Sequence, residues 1–245
     1  STRLDHCAVV VWGGGTGGVA AALQSARGGA PTLLITPGAW LGGMVSAAGV
    51  CAPDGNELSP WQTGLWGAFL RELRQREAEG LDHNWVSCFG YRPSTAEAVL
   101  RDWCAAEANL LWWPQSQVVS IQRSGSRMTA ITVQHQGQTS QVGLDVLVDG
   151  SDRGDLFALA DVPYRFGWEP QELWGEPSAP PLAQLESNPF FQAQVVQSPT
   201  WVVMGQLQSE VLTPAAAPQA LAGPFERASE AFGLERTINY GRLPG

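Results

Sequence analysis

The sequence contains no lysine: all fourteen basic residues are arginines. A lysine Schiff base and the lysine of a phosphate-binding P-loop are therefore excluded, and any side-chain contact to an anion must come from arginine. Cysteine is scarce. Cys7, Cys51, Cys88 and Cys104 are widely spaced with no C-x-x-C pair, and the histidines are only His6, His83 and His135. Such spacing supports neither a zinc site nor an iron–sulfur cluster, so no metal is expected. No basic cluster offsets the formal net charge of −9, which argues against a nucleic-acid partner. No apolar run is long enough to span a membrane. The polar start, Ser1 to His6, leads directly into an apolar run without a secretory pattern. The expectation is a cytoplasmic protein with reduced thiols. No internal repeat is visible.

The most informative stretch is Cys7 to Gly49. An apolar, β-branched run, Ala8 to Val11, reads as a buried parallel strand. Gly13, Gly15 and Gly18 follow with the spacing G-x-G-x-x-G. A helix-forming run, Val19 to Ala26, comes next, and after Gly28 and Gly29 a second short strand, Thr32 to Ile35. Strand, glycine turn, helix and strand in this order are the context of a dinucleotide-binding turn. Gly13 would permit the tight turn, Gly15 the approach of backbone to a pyrophosphate, and Gly18 the close packing of helix on sheet. Free N–H groups at the helix start would face the phosphates. Glycine-rich turns also join strands to helices without any ligand, and the turn alone does not separate flavin from nicotinamide binders.

A second signal, Leu41-Gly42-Gly43-Met44, lies just beyond the second strand, and a third is Asp149-Gly150-Ser151-Asp152-Arg153-Gly154-Asp155-Leu156, followed by Val162-Pro163-Tyr164-Arg165. On these motifs, which span about residues 7 to 170, the chain resembles the FAD-dependent oxidoreductases. The later segment resembles the D-A-T-x-x-G-D-L and V-P-Y pattern of one bacterial branch. The resemblance implies FAD as cofactor, held by Gly13, Gly15, Thr16, Gly17 and Gly18 at the turn. It adds Thr36 and Pro37 after the second strand, and Leu41, Gly42, Gly43 and Met44 in the following loop. Val118 matches the position whose backbone meets adenine, and Asp149, Gly150 and Ser151 complete the set. Two positions depart from the family. Thr36 stands where a glutamate usually accepts hydrogen bonds from the adenosine ribose; a hydroxyl can accept one such bond. Trp12 is bulkier than the family's residue before the first glycine.

Ser59-Pro60-Trp61-Gln62 reads as a helix start with a capping box, and Trp61, Leu65, Trp66, Phe69, Leu70 and Leu73 recur at helical spacing up to Gly80. The charged run Arg71 to Glu79 reads as the solvated face of that helix. Leu81 to Arg92 reads as a loop carrying His83, Trp85, Cys88 and Tyr91. Ser94 to Glu97 offers a second capping box for a helix to about Glu107, and Asn109 to Trp113 a third parallel strand. Gln117 to Gln122, Met128 to Gln136 and Gln141 to Asp149 suggest an antiparallel meander. Most of the eleven tryptophans read as core or interface filler. Cys51 is the cysteine placed near the flavin ring by the resemblance; a buried structural thiol is the simpler reading.

Eleven of seventeen prolines lie from Pro163 onward. Gly167 to Pro189 reads as loops or a lid, Trp201 to Met204 as a strand, Pro214 to Pro224 as a connector and Phe225 to Phe232 as a short helix. The expected fold is therefore α/β: a Rossmann-like FAD-binding domain over residues 1–165, with a parallel sheet and a β-meander insert, followed by an incomplete substrate or cap domain over 166–245. The expected activity is oxidation of a small-molecule substrate by hydride transfer to FAD. No catalytic residue is legible, and Arg165, Trp168, Glu169 and His83 are only candidates to face substrate. Two other readings stand beside it: an NAD(P)-linked dehydrogenase, and a non-catalytic fragment or half of a split flavoprotein needing a C-terminal partner or self-association.

Overall fold

The computed structural model describes residues 4–54, 59–78, 80–81, 87–196 and 202. The expectations for His83, Trp85, the 201–204 strand, the 214–224 connector and the 225–232 helix lie outside these residues. The described chain falls into two compact units, divided after Ala160.

The first unit is built on a six-stranded sheet. Its strands are β1 (His6–Trp12), β2 (Thr32–Ile35), β3 (Leu110–Trp113), β4 (Gln117–Ser124), β5 (Arg127–His135) and β6 (Gln138–Asp149), in the order β3-β2-β1-β6-β5-β4. β3, β2, β1 and the end of β6 are parallel, whereas β4, β5 and the start of β6 form the antiparallel meander. β6 serves both halves. Gly143 pairs with Ala130 of β5 on one side and with His6 of β1 on the other. All four residues of β2 are buried, as a strand covered on both faces requires.

Three helices, α1 (Thr16–Arg27), α2 (Gly64–Arg76) and α3 (Pro93–Ala106), cover one face. Val19, Leu23, Leu70, Leu73, Val99 and Leu100 pack there with Val11 and Leu34 of the sheet. The meander folds over the other face. Val118, Ile131, Val133 and Val142 share a core with Val10, Trp12, Leu33 and Ile35. Trp113 at the end of β3 stacks on His135 at the end of β5, with ring centroids 4.7 Å apart. A short helix, α4 (Asp155–Leu159), follows β6.

Several local expectations need correction. Ser59–Trp61 forms only a 3-10 turn, and α2 begins at Gly64 and ends at Arg76, short of Gly80. The Gln62 amide oxygen accepts from Arg74 at 3.2 Å, and Trp61 is exposed. α3 starts one residue before Ser94 because Pro93 occupies its first position, with Arg92 as the capping residue and no side-chain cap. Glu97 instead pairs with Arg101 one turn on. The charged run ending α2 is not wholly solvated, since Glu77 is buried.

The second unit spans Asp161–Trp201, of which 161–196 are described. The stretch from Gly167 to Pro189, expected to be loops or a lid, holds two short helices, α5 (Gln171–Trp174) and α6 (Leu182–Ser187), and a third, α7 (Pro189–Ala193), begins at its end. Each opens at a proline: Pro170 and Pro181 precede α5 and α6, and Pro189 starts α7. The helices are too short to show a period in sequence. No described residue of this unit is buried.

Candidate cofactor site

The C-terminal ends of β1, β2 and β6 lie side by side, and the glycine turn leaves β1 there. Gly13 has φ 106°, a conformation that favours glycine. A side chain at Gly13 would place its Cβ 2.5 Å from the carbonyl carbon of Gly150, and one at Gly18 would lie 2.0 Å from the Gly13 oxygen. One at Gly150 would lie 2.5 Å from the Gly18 Cα. Three backbones from β1, α1 and the loop after β6 therefore meet at a closed junction. Only glycine permits this approach.

The outer side of the turn is open. Gly15 caps α1 with ordinary extended geometry and no side-chain hydrogen bond, and Thr16 and Gly17 are exposed. The atom closest to a Cβ at Gly15 would be Asp152 Oδ1 at 3.5 Å, and no described residue lies within 4 Å of one at Gly17. Among the described residues, a twelve-residue helix thus has its first N–H groups and positive dipole end uncapped by any side chain.

Leu41 to Met44 docks against this turn through backbone. Gly42 N donates to Gly14 O at 2.7 Å, and Gly15 and Gly42 form a parallel bridge. A Cβ at Gly43 would sit 3.0 Å from the Gly15 Cα. Leu41 anchors the loop in the helix-side core, whereas Met44 is 67% exposed.

The segment after β6 is organised by its own side chains. The Asp149 carboxylate accepts from Ser151 N at 2.9 Å, Ser151 Oγ at 2.6 Å and Leu156 N at 2.9 Å. Ser151 Oγ accepts from Asp155 N at 2.9 Å. These bonds shape the loop that carries Gly150 to Gly18, and they start α4 after Gly154, whose φ is 66°. Trp12 is absorbed into the meander-side core, and its indole N–H donates to Asp155 Oδ2 at 3.1 Å. Its bulk therefore points away from the open side of the turn.

The site residues expected from sequence divide accordingly. Gly13, Gly15, Thr16, Gly17, Gly18, Gly42, Gly43, Asp149, Gly150 and Ser151 gather around one turn, with Met44 at its rim. The side chains of Leu41 and Val118 are core groups, so only their backbones are available. Thr36 is fully buried, and Pro37 beside it is exposed. Sequence reasoning passed over Asp152, whose carboxylate borders Gly15, and Gly14, which packs against Thr36. Neither contact has a local signal.

Cys51 is buried with φ 43°, its Sγ 3.6 Å from Val45 O. Burial, with Glu77 nearby, pushes its thiol pKa up to about 12, so it is a poor nucleophile at neutral pH. Arg165 pairs with Glu169 at 2.7 Å and lies over the Trp174 ring, while Trp168 donates to Gln194 O; these candidates stay within the second unit. Among the described residues no group of His, Cys, Asp and Glu is arranged to hold a metal ion, and no helix is long and apolar enough to cross a membrane.

No curated protein matches the sequence. Similar solved structures include AlpK, at 17% identity and TM-score 0.48 over 69% of this chain and 36% of that one. The flavin-dependent brominase Bmp2 is 16% identical, with TM-score 0.46 over 66% of this chain and 41% of its own. A geranylgeranyl bacteriochlorophyll reductase-like protein of Thermoplasma acidophilum is 16% identical, with TM-score 0.43 over 60% and 40%. The chain thus spans roughly 36% to 41% of the length of these structures. The family profile described as FAD dependent oxidoreductase matches residues 8–245. The chain belongs to the FAD-dependent oxidoreductase family, and FAD is its cofactor.

Proposed function

We propose that the protein oxidises a small-molecule substrate by hydride transfer to FAD, with the FAD pyrophosphate at the start of α1. The observation that carries the placement is the closed glycine junction beside an open, uncapped helix N-terminus. The protein's own backbone fills the inner side of the turn, and among the described residues only the Asp152 carboxylate borders the outer side at Gly15, with none within 4 Å of a Cβ at Gly17. The exposed N–H groups of Thr16 and Gly17 would hold the phosphates, and the Gly42-Gly43 backbone would border them. The exposed Asp152 carboxylate must turn outward, since its charge repels a phosphate. When bound, the flavin supplies the two-electron chemistry, and the protein supplies binding and orientation. The partners proposed are this cofactor and the small-molecule substrate, and the location proposed is cytoplasmic, in keeping with the wide spacing of the four cysteines in sequence.

The test is titration of the purified chain with FAD, read by flavin fluorescence and visible spectrum. Gly15→Val places a branched side chain where the phosphates would lie, and its Cβ would meet only ordinary contacts, Asp152 Oδ1 at 3.5 Å and Gly150 O at 3.8 Å. It should weaken FAD binding by about 100-fold, the cost of a lost phosphate cradle of two or so hydrogen bonds to charge, while the fold is kept. Undiminished binding would defeat the placement. Anaerobic bleaching of bound flavin by a substrate would establish the transfer itself.

A further inference from the structure

With FAD placed as proposed above, on which this inference rests, the adenosine ribose comes to the end of β2. In a dinucleotide fold the residue closing the second strand meets the adenosine ribose, and an acid there recognises the 2′-hydroxyl. Here that residue is Thr36, and its side chain is sealed inside the protein. It is fully buried. Its hydroxyl donates to Gly38 O at 2.8 Å and accepts from Trp112 Nε1 at 3.1 Å. Its Cγ2 lies only 2.9 Å from where a Cβ on Gly14 would stand. The single hydroxyl proton is committed, and packed protein surrounds the remaining acceptor capacity.

Among the described residues, those lining a cavity of about 460 Å³ beside this strand end, Pro37, Gln115, Ser116 and Gln117 with them, carry no formal charge. His135 lies behind them, its Nδ1 2.7 Å from Ser116 Oγ. Backbone bonds tie the cavity to the strand: Ser116 N donates to Thr36 O at 2.9 Å and Gln115 N to Gly38 O at 3.2 Å. A cation also reaches this loop from far along the chain. Arg101 of α3 donates to Ala39 O at 2.9 Å and lies 4.7 Å over the Trp112 ring, while pairing with Glu97.

We infer that this chain does not read the 2′ position of the ribose: a 2′-hydroxyl, a 2′-hydrogen and a 2′-phosphate are all accepted at the end of β2. An acid would bind a 2′-hydroxyl by charge-assisted hydrogen bonds and repel a 2′-phosphate. With Thr36 withdrawn, neither force acts, and Arg101, already paired with Glu97 through two hydrogen bonds, brings no unbalanced charge to the loop.

The experiment is competition against FAD on the purified chain, followed by flavin fluorescence, with ADP, 2′-deoxy-ADP and 2′-phospho-ADP as competitors. The three should compete within about threefold of one another, less than one charge-assisted hydrogen bond is worth. A loss of about tenfold or more for either modified nucleotide would overturn the inference. Thr36→Val removes the hydroxyl and keeps the shape. Whatever it costs in stability, it should change ADP and 2′-deoxy-ADP binding equally. A loss confined to ADP would show that Thr36 does read the 2′-hydroxyl. If FAD binds and none of the three nucleotides competes, the inference fails while the cofactor reading stands. If FAD itself does not bind, the cofactor placement fails and the inference falls with it.

Discussion

Single residues in the glycine turn do two different jobs. Gly13, Gly18 and Gly150 exclude side chains because backbone from another segment fills the space. Gly17 faces nothing within 4 Å and sits in the first turn of a helix. Gly17→Ala should therefore stabilise the chain by up to about 1 kcal/mol, the helix-propensity difference between the two residues. Gly18→Ala must push the Gly13 carbonyl away from a 2.0 Å approach. It should cost at least about 3 kcal/mol, as severe overpacking does. Urea unfolding followed by circular dichroism ranks the two, and equal effects would contradict the junction. Gly13, Gly15 and Gly18 were legible because their spacing is local and their flanking elements agree. Gly150's part in the junction was not, because its partners lie far upstream in sequence. Thr36 was legible as a departure from the family. Its sealing was not, since it depends on the Trp112 indole nitrogen arriving from β3.

Elements were most legible where one period or one local signal decided them. β2 is four apolar-facing residues between turn signals, and it forms over Thr32–Ile35 as expected. The meander's three strands are joined by two-residue turns, Gly125-Ser126 and Gln136-Gly137. The end of α2 was misread because its charges look solvated, yet Glu77 turns inward. Its carboxylate accepts from Arg92 N at 3.0 Å and Arg92 Nη1 at 2.9 Å, and so ties the end of α2 to the start of α3. The pair is asymmetric: the Arg92 side chain is 43% exposed, and that of Glu77 is fully buried. Arg92→Ala leaves a buried carboxylate without its counter-charge and should cost about 3–5 kcal/mol. Glu77→Ala leaves a guanidinium that water can solvate and should cost less, about 1–3 kcal/mol, mostly from the Arg92 N–H bond and the cavity. Chemical denaturation of the two variants checks the order. A reversal would mean that the pair does not hold the helices together through Glu77.

For the whole molecule, burial is distributed unevenly. Every buried residue described lies between residues 7 and 160, while 161–196 hold three short helices without one. A segment with no core of its own offers little resistance to opening, so its backbone is the better protease substrate. Chymotrypsin should first cut beside Tyr164, Phe166, Trp168 or Trp174, all at least 43% exposed. The aromatic residues near α2, such as Phe69, Phe89 and Tyr91, pack edge-to-face in the helix-side core and should survive. The proposed placement of FAD lies in the first unit. The glycine junction joins β1, α1 and the end of β6, which are contacts that exist only in the folded sheet. A ligand held there binds the native state and not the unfolded chain, and stabilises it by about 2.7 kcal/mol at a hundredfold excess over Kd. For a chain of this size each kcal/mol moves the unfolding midpoint by about 2–4 °C, so saturating FAD should raise Tm by roughly 5–10 °C. Gly15→Val at the same FAD concentration should show almost none of this shift while keeping its own ligand-free Tm close to the parent's. A scanning-calorimetry series with and without FAD checks both halves. An FAD-induced rise as large in Gly15→Val as in the parent would place the cofactor away from the start of α1.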